Sequence, residues 1–311
     1  MNSGDSRGKR RRAEEADATT IDRLSDLPIL MVHHILSFLD DTKSVVRTSL
    51  LSRGWRHAWK HVPVLEFHRG SFPRAREFDS FIDRVLSLRR DLSLSKVVYA
   101  ETYLSPEPPR NEKADIIDRQ VKVISYALSH DVQQLVVHSW EANQETAAPY
   151  CDFSSIFPVC GSNNATGNYD CTKKKKEADL KTLDLKWINL DPGFVACSVF
   201  PMLTTLNLER CAFGTEGLIL SASIPCLINL VITNCRLKGK ATEIKARRIK
   251  VYAPHLLSLK LNGMVGWEIE VFAPKLKSLT LFQDVTSAGF FNTTLPALDH
   301  ADIALTEDTE Q

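Results

Sequence analysis

One phrase recurs through the second half of the chain: Pro-x-Leu-x-x-Leu-x-[Leu/Ile]. It stands at Pro201-x-Leu203-x-x-Leu206-x-Leu208 and Pro225-x-Leu227-x-x-Leu230-x-Ile232. It returns at Pro254-x-Leu256-x-x-Leu259-x-Leu261 and Pro274-x-Leu276-x-x-Leu279-x-Leu281. A worn copy follows at Pro296-x-Leu298-x-x-Ala301-x-Ile303, and Leu180-x-x-Leu183-x-Leu185 is an earlier copy without the proline. The prolines lie 24, 29, 20 and 22 residues apart. Two neighbours match more closely, IKVYAPHLLSLKL from 249 and IEVFAPKLKSLTL from 269. Side chains alternate along a strand, so each Leu-x-Leu places its leucines on one side and the residues between them on the other. No single copy buries its own leucines, but strands stacked in parallel bury a continuous ladder. By the same alternation the outward residues are Asp184 and Lys186, Asn207 and Glu209, Val231 and Thr233, Lys260 and Asn262, and Thr280 and Phe282. These ten are the candidate binding face of the sheet.

The periods are those of leucine-rich repeats. They predict an irregular α/β solenoid with a parallel sheet over residues 67–305, followed by a short tail over 306–311. Cys211 and Cys235 fall three residues after Leu208 and Ile232 and read as core residues, not as ligands or disulfides. Upstream, Val64-Leu65-Glu66-Phe67, Lys96-Val97-Val98-Tyr99 and Leu135-Val136-Val137 read as strands. Between them lie two helical patterns, 77–90 with Phe78, Phe81, Ile82, Val85 and Leu86 on one face, and 114–129 with Ile117, Val121, Ile124 and Leu128. The alternation points to α/β construction. Residues 141–179 are rich in Asn, Thr, Ser, Gly and Lys and read as a mobile surface insertion; their run Lys173–Lys176 reads as a solvated loop.

Residues 21–66 read as three short amphipathic helices. Pro28 suits the first helical position, where a missing N–H costs nothing. The helix then runs to about Leu39, with Val32, Ile35, Leu36 and Leu39 on one face. Asp41 or Thr42 caps a second helix carrying Val45, Val46, Ser49 and Leu50. Ser52 caps a third, with Trp55, Ala58, Trp59 and Val62 in one stripe, and Pro63 stops it. A unit this small buries only about 60% of its unfolded surface. It needs more core, from the chain that follows or from a partner.

Residues Leu24-Ser25-x-Leu27-Pro28, Ile35-Leu36-Ser37-Phe38-Leu39, Thr42-Lys43-x-Val45-Val46-Arg47-Thr48-Ser49, Leu51-Ser52-x-x-Trp55-Arg56-x-x-Trp59 and Pro63-x-Leu65-x-Phe67 share the order and spacing of a plant-type F-box. The stretch resembles that domain, and the chain resembles the plant F-box/leucine-rich-repeat proteins of the FBD-associated type, here without an evident FBD. The expected class is α+β overall, a three-helix F-box followed by the repeats. The resemblance implies a substrate-recognition subunit of an SCF-type cullin–RING ubiquitin ligase. The F-box of such proteins docks on a small adaptor and, through it, on cullin, while the repeats hold a target protein. In that family the Leu-Pro opening and the apolar face of the first helix meet the adaptor; those positions are Leu27, Pro28, Val32, Ile35, Leu36 and Leu39. Many relatives carry a further C-terminal domain. Without one, a poorly capped end of the solenoid is expected, as in a truncated form.

Bulk properties agree with this role. Of 311 residues, 43% are hydrophobic and 25% charged, as in ordinary globular proteins. The net charge of +1 argues against nucleic acid as the partner, although the run Lys9–Arg12 and the basic residues Arg53, Arg56, Lys60 and His61 keep that alternative open. No run approaches the length of a transmembrane helix, and residues 1–20 lack the apolar region of a signal peptide. They read as a disordered basic tail, with Lys9–Arg12 as a candidate nuclear import signal. The expected location is nucleus or cytoplasm. No Gly-rich phosphate loop, G-x-S-x-G or H-E-x-x-H occurs, so no catalytic residue is assigned. Cys151, Cys160 and Cys171 are separated by 8 and 10 residues, without a C-x-x-C, so no metal site is assigned. No convergent Arg/Lys cluster offers to hold a phosphate, and no cofactor is expected. The chief alternative is a repeat scaffold whose F-box does not enter a ligase.

Overall fold

The computed structural model describes residues 24, 26–89, 92–101, 113–139, 151–153, 179–190, 200–214, 217–220, 224–237, 248–264, 267–284, 291–292 and 295–306. The basic tail, Lys9–Arg12, most of the insertion, Cys160, Cys171 and Lys173–Lys176 lie outside them. The chain forms two compact units, Met1–Val62 and Pro63–Gln311. No helix among the described residues is long and apolar enough to cross a membrane.

In the first unit, helix α1 spans Ile29–Leu36. Pro28 stands one place earlier than expected, as the capping residue (φ −56°, ψ 141°), and its carbonyl accepts from the N–H groups of Met31 and Val32 at 2.9 and 3.1 Å. The helix stops at Leu36, short of Leu39, where the Ser37 hydroxyl donates to the His34 carbonyl at 2.6 Å. Helix α2 spans Thr42–Arg47. Asp41 caps it, accepting from the Ser44 N–H at 2.7 Å and the Ser44 hydroxyl at 2.9 Å. A 3₁₀ turn over Thr48–Leu50 continues it. The expected third α-helix is absent: turns lead into one 3₁₀ turn, Ala58–His61. The stripe is nonetheless real, because Trp55, Ala58, Trp59 and Val62 are all buried. The Trp55 indole N–H donates to the Leu24 carbonyl at 2.8 Å. Bulky aromatics with fixed partners do not require a regular helix to fill a small core.

The second unit opens with β1 (Val64–His68), then α3 (Ala75–Leu88), β2 (Lys96–Ala100), α4 (Lys113–Ser129) and β3 (Gln134–His138). β1 therefore belongs here, with the following unit. The three strands are parallel neighbours, so each connection must cross back, and the two helices do so. α3 buries Phe78, Ile82 and Val85 as its periodicity predicts. α4 departs from its predicted stripe: Ile116, Arg119, Gln120, Val123, Ile124 and Ala127 are buried, while Ile117, Val121 and Leu128 are partly exposed. The reason is electrostatic. Buried Glu101 accepts from Arg119 Nη2 at 3.0 Å and from the Tyr99 hydroxyl. Arg119 Nη1 also reaches Asp79 at 2.9 Å, and Gln120 reaches Ser139 at 3.4 Å. A buried carboxylate needs its cation, so two polar residues of α4 turn inward.

Beyond β3, β4 (Cys151–Asp152), β5 (Thr182–Lys186), β6 (Ile188–Leu190), β7 (Thr205–Glu209), β8 (Ala212–Phe213), β9 (Leu218–Leu220), β10 (Asn229–Thr233) and β11 (Arg236–Leu237) follow. Then come β12 (Arg248–Tyr252), β13 (Ser258–Asn262), β14 (Glu268–Phe272), β15 (Ser278–Asp284), β16 (Phe291–Asn292) and β17 (His300–Thr306). The main sheet has nine strands in the order β1-β2-β3-β5-β7-β10-β13-β15-β17. Every neighbour pair in it is parallel. Two four-stranded parallel sheets accompany it, β11-β8-β6-β4 and β16-β14-β12-β9. The Leu-x-Leu copies are main-sheet strands, and Leu183, Leu185, Leu206, Leu208, Leu230, Ile232, Leu259 and Leu261 are buried in them. The worn copy forms β17, but Ala301 and Ile303 are exposed there. Each of the two closely matched copies supplies two strands, β12 with β13 and β14 with β15, and β12 and β14 lie in the four-stranded sheet β16-β14-β12-β9. The period-two alternation of Ile249 with Val251 and of Ile269 with Val271 carries that signal.

Candidate functional site

Two surfaces stand out, one in each unit. On α1, the residues four apart, Val32 and Leu36, point into the unit's own core and are 3% and 0% exposed. The predicted docking set is therefore split. Val32 and Leu36 do not lie on the surface, whereas Pro28, Ile35 and Leu39 are exposed and Leu27 is partly so. A helix can turn only one stripe inward, and the core of so small a unit has room for little more. The surplus apolar residues remain outside: Leu30 is 77% exposed and Phe38 70%, with Ile29 and Met31 beside Leu30 in the chain. Leu50, 85% exposed, and Leu51 add to them from the end of the second helical stretch. The sequence signal for these residues was the run ILMV at 29–32, apolar on every side and so richer than an amphipathic helix needs. Single exposed apolar residues are ordinary, but this many large ones on so small a unit leave apolar area open to a partner.

Two histidines of α1 meet aromatic rings. His33 stacks on His61 with ring centres 5.7 Å apart, and His34 packs edge-on against Phe38 at 4.8 Å. Burial lowers the pKa of His33, and the neighbouring His61 lowers it further. Among the described residues, no group of three or more His, Cys, Asp or Glu side chains is placed to hold a metal ion.

The second surface is the outward side of the main sheet. Parallel register aligns the ten predicted residues in two rows. Asp184, Asn207, Val231, Lys260 and Thr280 are direct cross-strand partners, as are Lys186, Glu209, Thr233, Asn262 and Phe282. A third row, missed by the sequence reading, is Thr182, Thr205, Asn229, Ser258 and Ser278, the residue before each first leucine. The same alternation could have found it. The rows are tied by polar contacts: His138 Nε2 to Asp184 at 3.4 Å, Asn207 to Asp184 at 3.3 Å, Lys186 to Glu209 at 2.8 Å, and Asn229 to Thr205 at 3.3 Å. Under the sheet, Cys211 and Cys235 are buried. Their thiols donate to backbone carbonyls, Cys211 to Leu185 at 3.4 Å and Cys235 to Leu208 at 3.6 Å. Burial pushes the Cys211 thiol well above its usual range, which leaves it protonated and unreactive.

Comparison with known proteins covers the stretch that carries the exposed apolar residues of the first unit. The F-box domain family matches residues 24–67, which contain the whole exposed apolar group. An FBD-associated F-box protein of Arabidopsis thaliana is 28% identical over 301 residues, 95% of this chain and 60% of the relative. F-box/LRR-repeat protein 13 of the same plant is 29% identical over 207 residues, 66% of this chain and 44% of the relative. This chain thus spans well under two thirds of the length of those relatives. F-box/LRR-repeat protein 25 of Arabidopsis thaliana is 52% identical over 260 residues, 78% of this chain and 86% of the relative. At that identity and coverage, with the F-box match and the repeated parallel strands, the chain belongs to the plant F-box/LRR-repeat family.

Proposed function

We propose that this chain is a non-catalytic substrate-recognition subunit of an SCF-type cullin–RING ubiquitin ligase. The first unit docks on the adaptor protein and, through it, on cullin. The second forms a leucine-rich-repeat solenoid whose outward sheet rows hold a target protein close to the ubiquitin-charged enzyme. Its contribution to rate is positional: tethering raises the effective concentration of the target lysine. A nuclear or cytosolic location goes with this role.

The observation that supports it most is the exposed group Leu30, Phe38, Leu50 and Leu51 inside the matched F-box region. An adaptor covering these side chains supplies in trans the core that the unit lacks. The residues to vary are therefore the exposed ones. Leu30→Asp and Phe38→Asp, in the full chain, are expected to abolish co-purification with the adaptor and cullin while leaving the fold intact. Undiminished capture by both variants would sink the proposed interface. Capture of a target without adaptor or cullin by the parent chain would favour the scaffold reading.

A further inference from the structure

Four consecutive repeats end their main-sheet strands in the same uncommon backbone. Trp187 (φ 60°), Arg210 (φ 51°), Asn234 (φ 51°) and Gly263 (φ 64°) follow β5, β7, β10 and β13 in the left-handed region. The turn extends the ladder by one bond. Trp187 N–H donates to the Glu209 carbonyl at 3.2 Å, Arg210 to Thr233 at 2.8 Å, Asn234 to Asn262 at 2.8 Å and Gly263 to Phe282 at 3.0 Å. Gly, with no Cβ, enters this region readily, and Asn does so because its short polar side chain can hydrogen-bond locally; Trp and Arg bear the crowding of Cβ against the following carbonyl without that compensation. The ladder needs the turn; it does not need tryptophan or arginine in it, and Asn234 shows what suffices.

The two ill-suited residues are neighbours and touch. The Arg210 guanidinium carbon lies 5.0 Å from the centre of the Trp187 ring. Glu209 stands beside them, 2.8 Å from Lys186 Nζ and 4.0 Å from Arg210 Nε, and the Arg210 side chain is 42% exposed. Of the residues that end main-sheet strands β1 through β13, Glu209 is the only carboxylate and pairs with Lys186, while His68 and His138 lie 3.5 and 3.4 Å from Glu66 and Asp184, one row in. Tryptophan and arginine are the side chains that most often carry binding energy at protein interfaces. A guanidinium resting on an aromatic face is already ordered, so it loses less freedom on meeting a carboxylate.

We propose that Trp187 and Arg210 anchor the target at this edge of the sheet, and that the segment they take is an acidic peptide. A carboxylate pairs with Arg210 while an adjoining apolar side chain lies against Trp187. This rests on the reading of the second unit as the target-holding part. The competing account is that the Trp187–Arg210 stack merely buttresses the turn, and stability separates the two.

The test uses the full chain and a fluorescein-labelled peptide of alternating Glu-Glu-Leu units, beside its Lys-Lys-Leu counterpart. The acidic peptide is expected to bind and the basic one not. The double variant Trp187→Asn, Arg210→Asn installs the residue this fold already uses at Asn234. It is expected to weaken peptide binding at least tenfold while its melting temperature stays level or rises, because Asn suits the left-handed turn. Absence of acidic-peptide binding by the parent overturns the proposal, as does equal binding by the double variant. A fall in melting temperature would instead assign the pair a structural role and also overturn it. Adaptor capture is read on the same samples: its failure in the parent counts against the ligase role, whereas the peptide results count only against this site.

Discussion

In the first unit, Leu30, Phe38 and Leu50 are among the most exposed apolar side chains, while Val32 and Leu36 are buried beside them in sequence. In the second, Leu183, Leu206, Leu230 and Leu259 are all buried, and the rows facing out are mostly hydroxyl, amide and paired charge. The difference follows from size and geometry. A strand turns every second residue away from the core, so a repeat sequence can write its outer surface independently of its inner one. A short helix in a small unit has one narrow inward stripe, and apolar residues beyond that stripe have no place to go. The first surface therefore suits a permanent apolar cover, and the second a polar, exchangeable partner.

The comparison can be broken most severely through the charges inside the second unit. Arg119→Ala strands Glu101 in the interior, and loss of one partner of a buried pair costs about 3–5 kcal/mol. Burial works to lower the Arg119 pKa, and Glu101, Tyr99 and Asp79 together more than offset it, which holds the guanidinium charged. Adding Glu101→Gln should restore part of the loss in urea denaturation; a single mutant as stable as the parent would mean that the pair is not buried. Next, Leu36→Ala should cost about 2–5 kcal/mol through an internal cavity, whereas Leu30→Ala should stay within about 0.5 kcal/mol. Equal losses would erase the distinction between the two faces of α1.

Smaller effects sharpen it. At Gly263 an added Cβ would sit 2.0 Å from the Asn234 side-chain oxygen, at φ 64°. Gly263→Ala should cost about 1–2 kcal/mol from the backbone alone, with the collision adding to it; a neutral change in melting temperature would contradict the turn geometry. Asp41→Ala removes the cap of α2 and should cost about 1 kcal/mol. Lastly, the first unit should weaken in mild acid. The pKa of His33 is lowered in the folded chain, so below 6.5 the unfolded chain takes up a proton that the folded chain resists. The penalty grows as pH falls through that value and is complete below the folded pKa. His33→Asn should flatten the dependence, and an unchanged pH profile in that variant would remove His33 as its source.

Much of the second surface was legible because alternation is rigid: Asp184 through Phe282 fell into the two rows that spacing required. The buried face of α4 was not, since apolar periodicity is blind to Arg119 and Gln120, which turn inward for polar reasons. The third helix was over-read because its apolar stripe at 55–62 is equally satisfied by turns. On α1 the same period that located the helix could not say which apolar residues were surplus. The left-handed turn was readable at Asn234 and Gly263, where the residue suits it, and hidden at Trp187 and Arg210, where it does not.

The most direct measurement is hydroxyl-radical footprinting of the full chain, alone and with the ligase adaptor. Leu30, Met31, Phe38 and Leu50 should oxidise in the free protein and be shielded in the complex, while outward sheet residues such as Phe282 keep their reactivity. Shielding on the sheet, or none on the α1 residues, would contradict the account that the apolar surplus of the first unit is the docking surface.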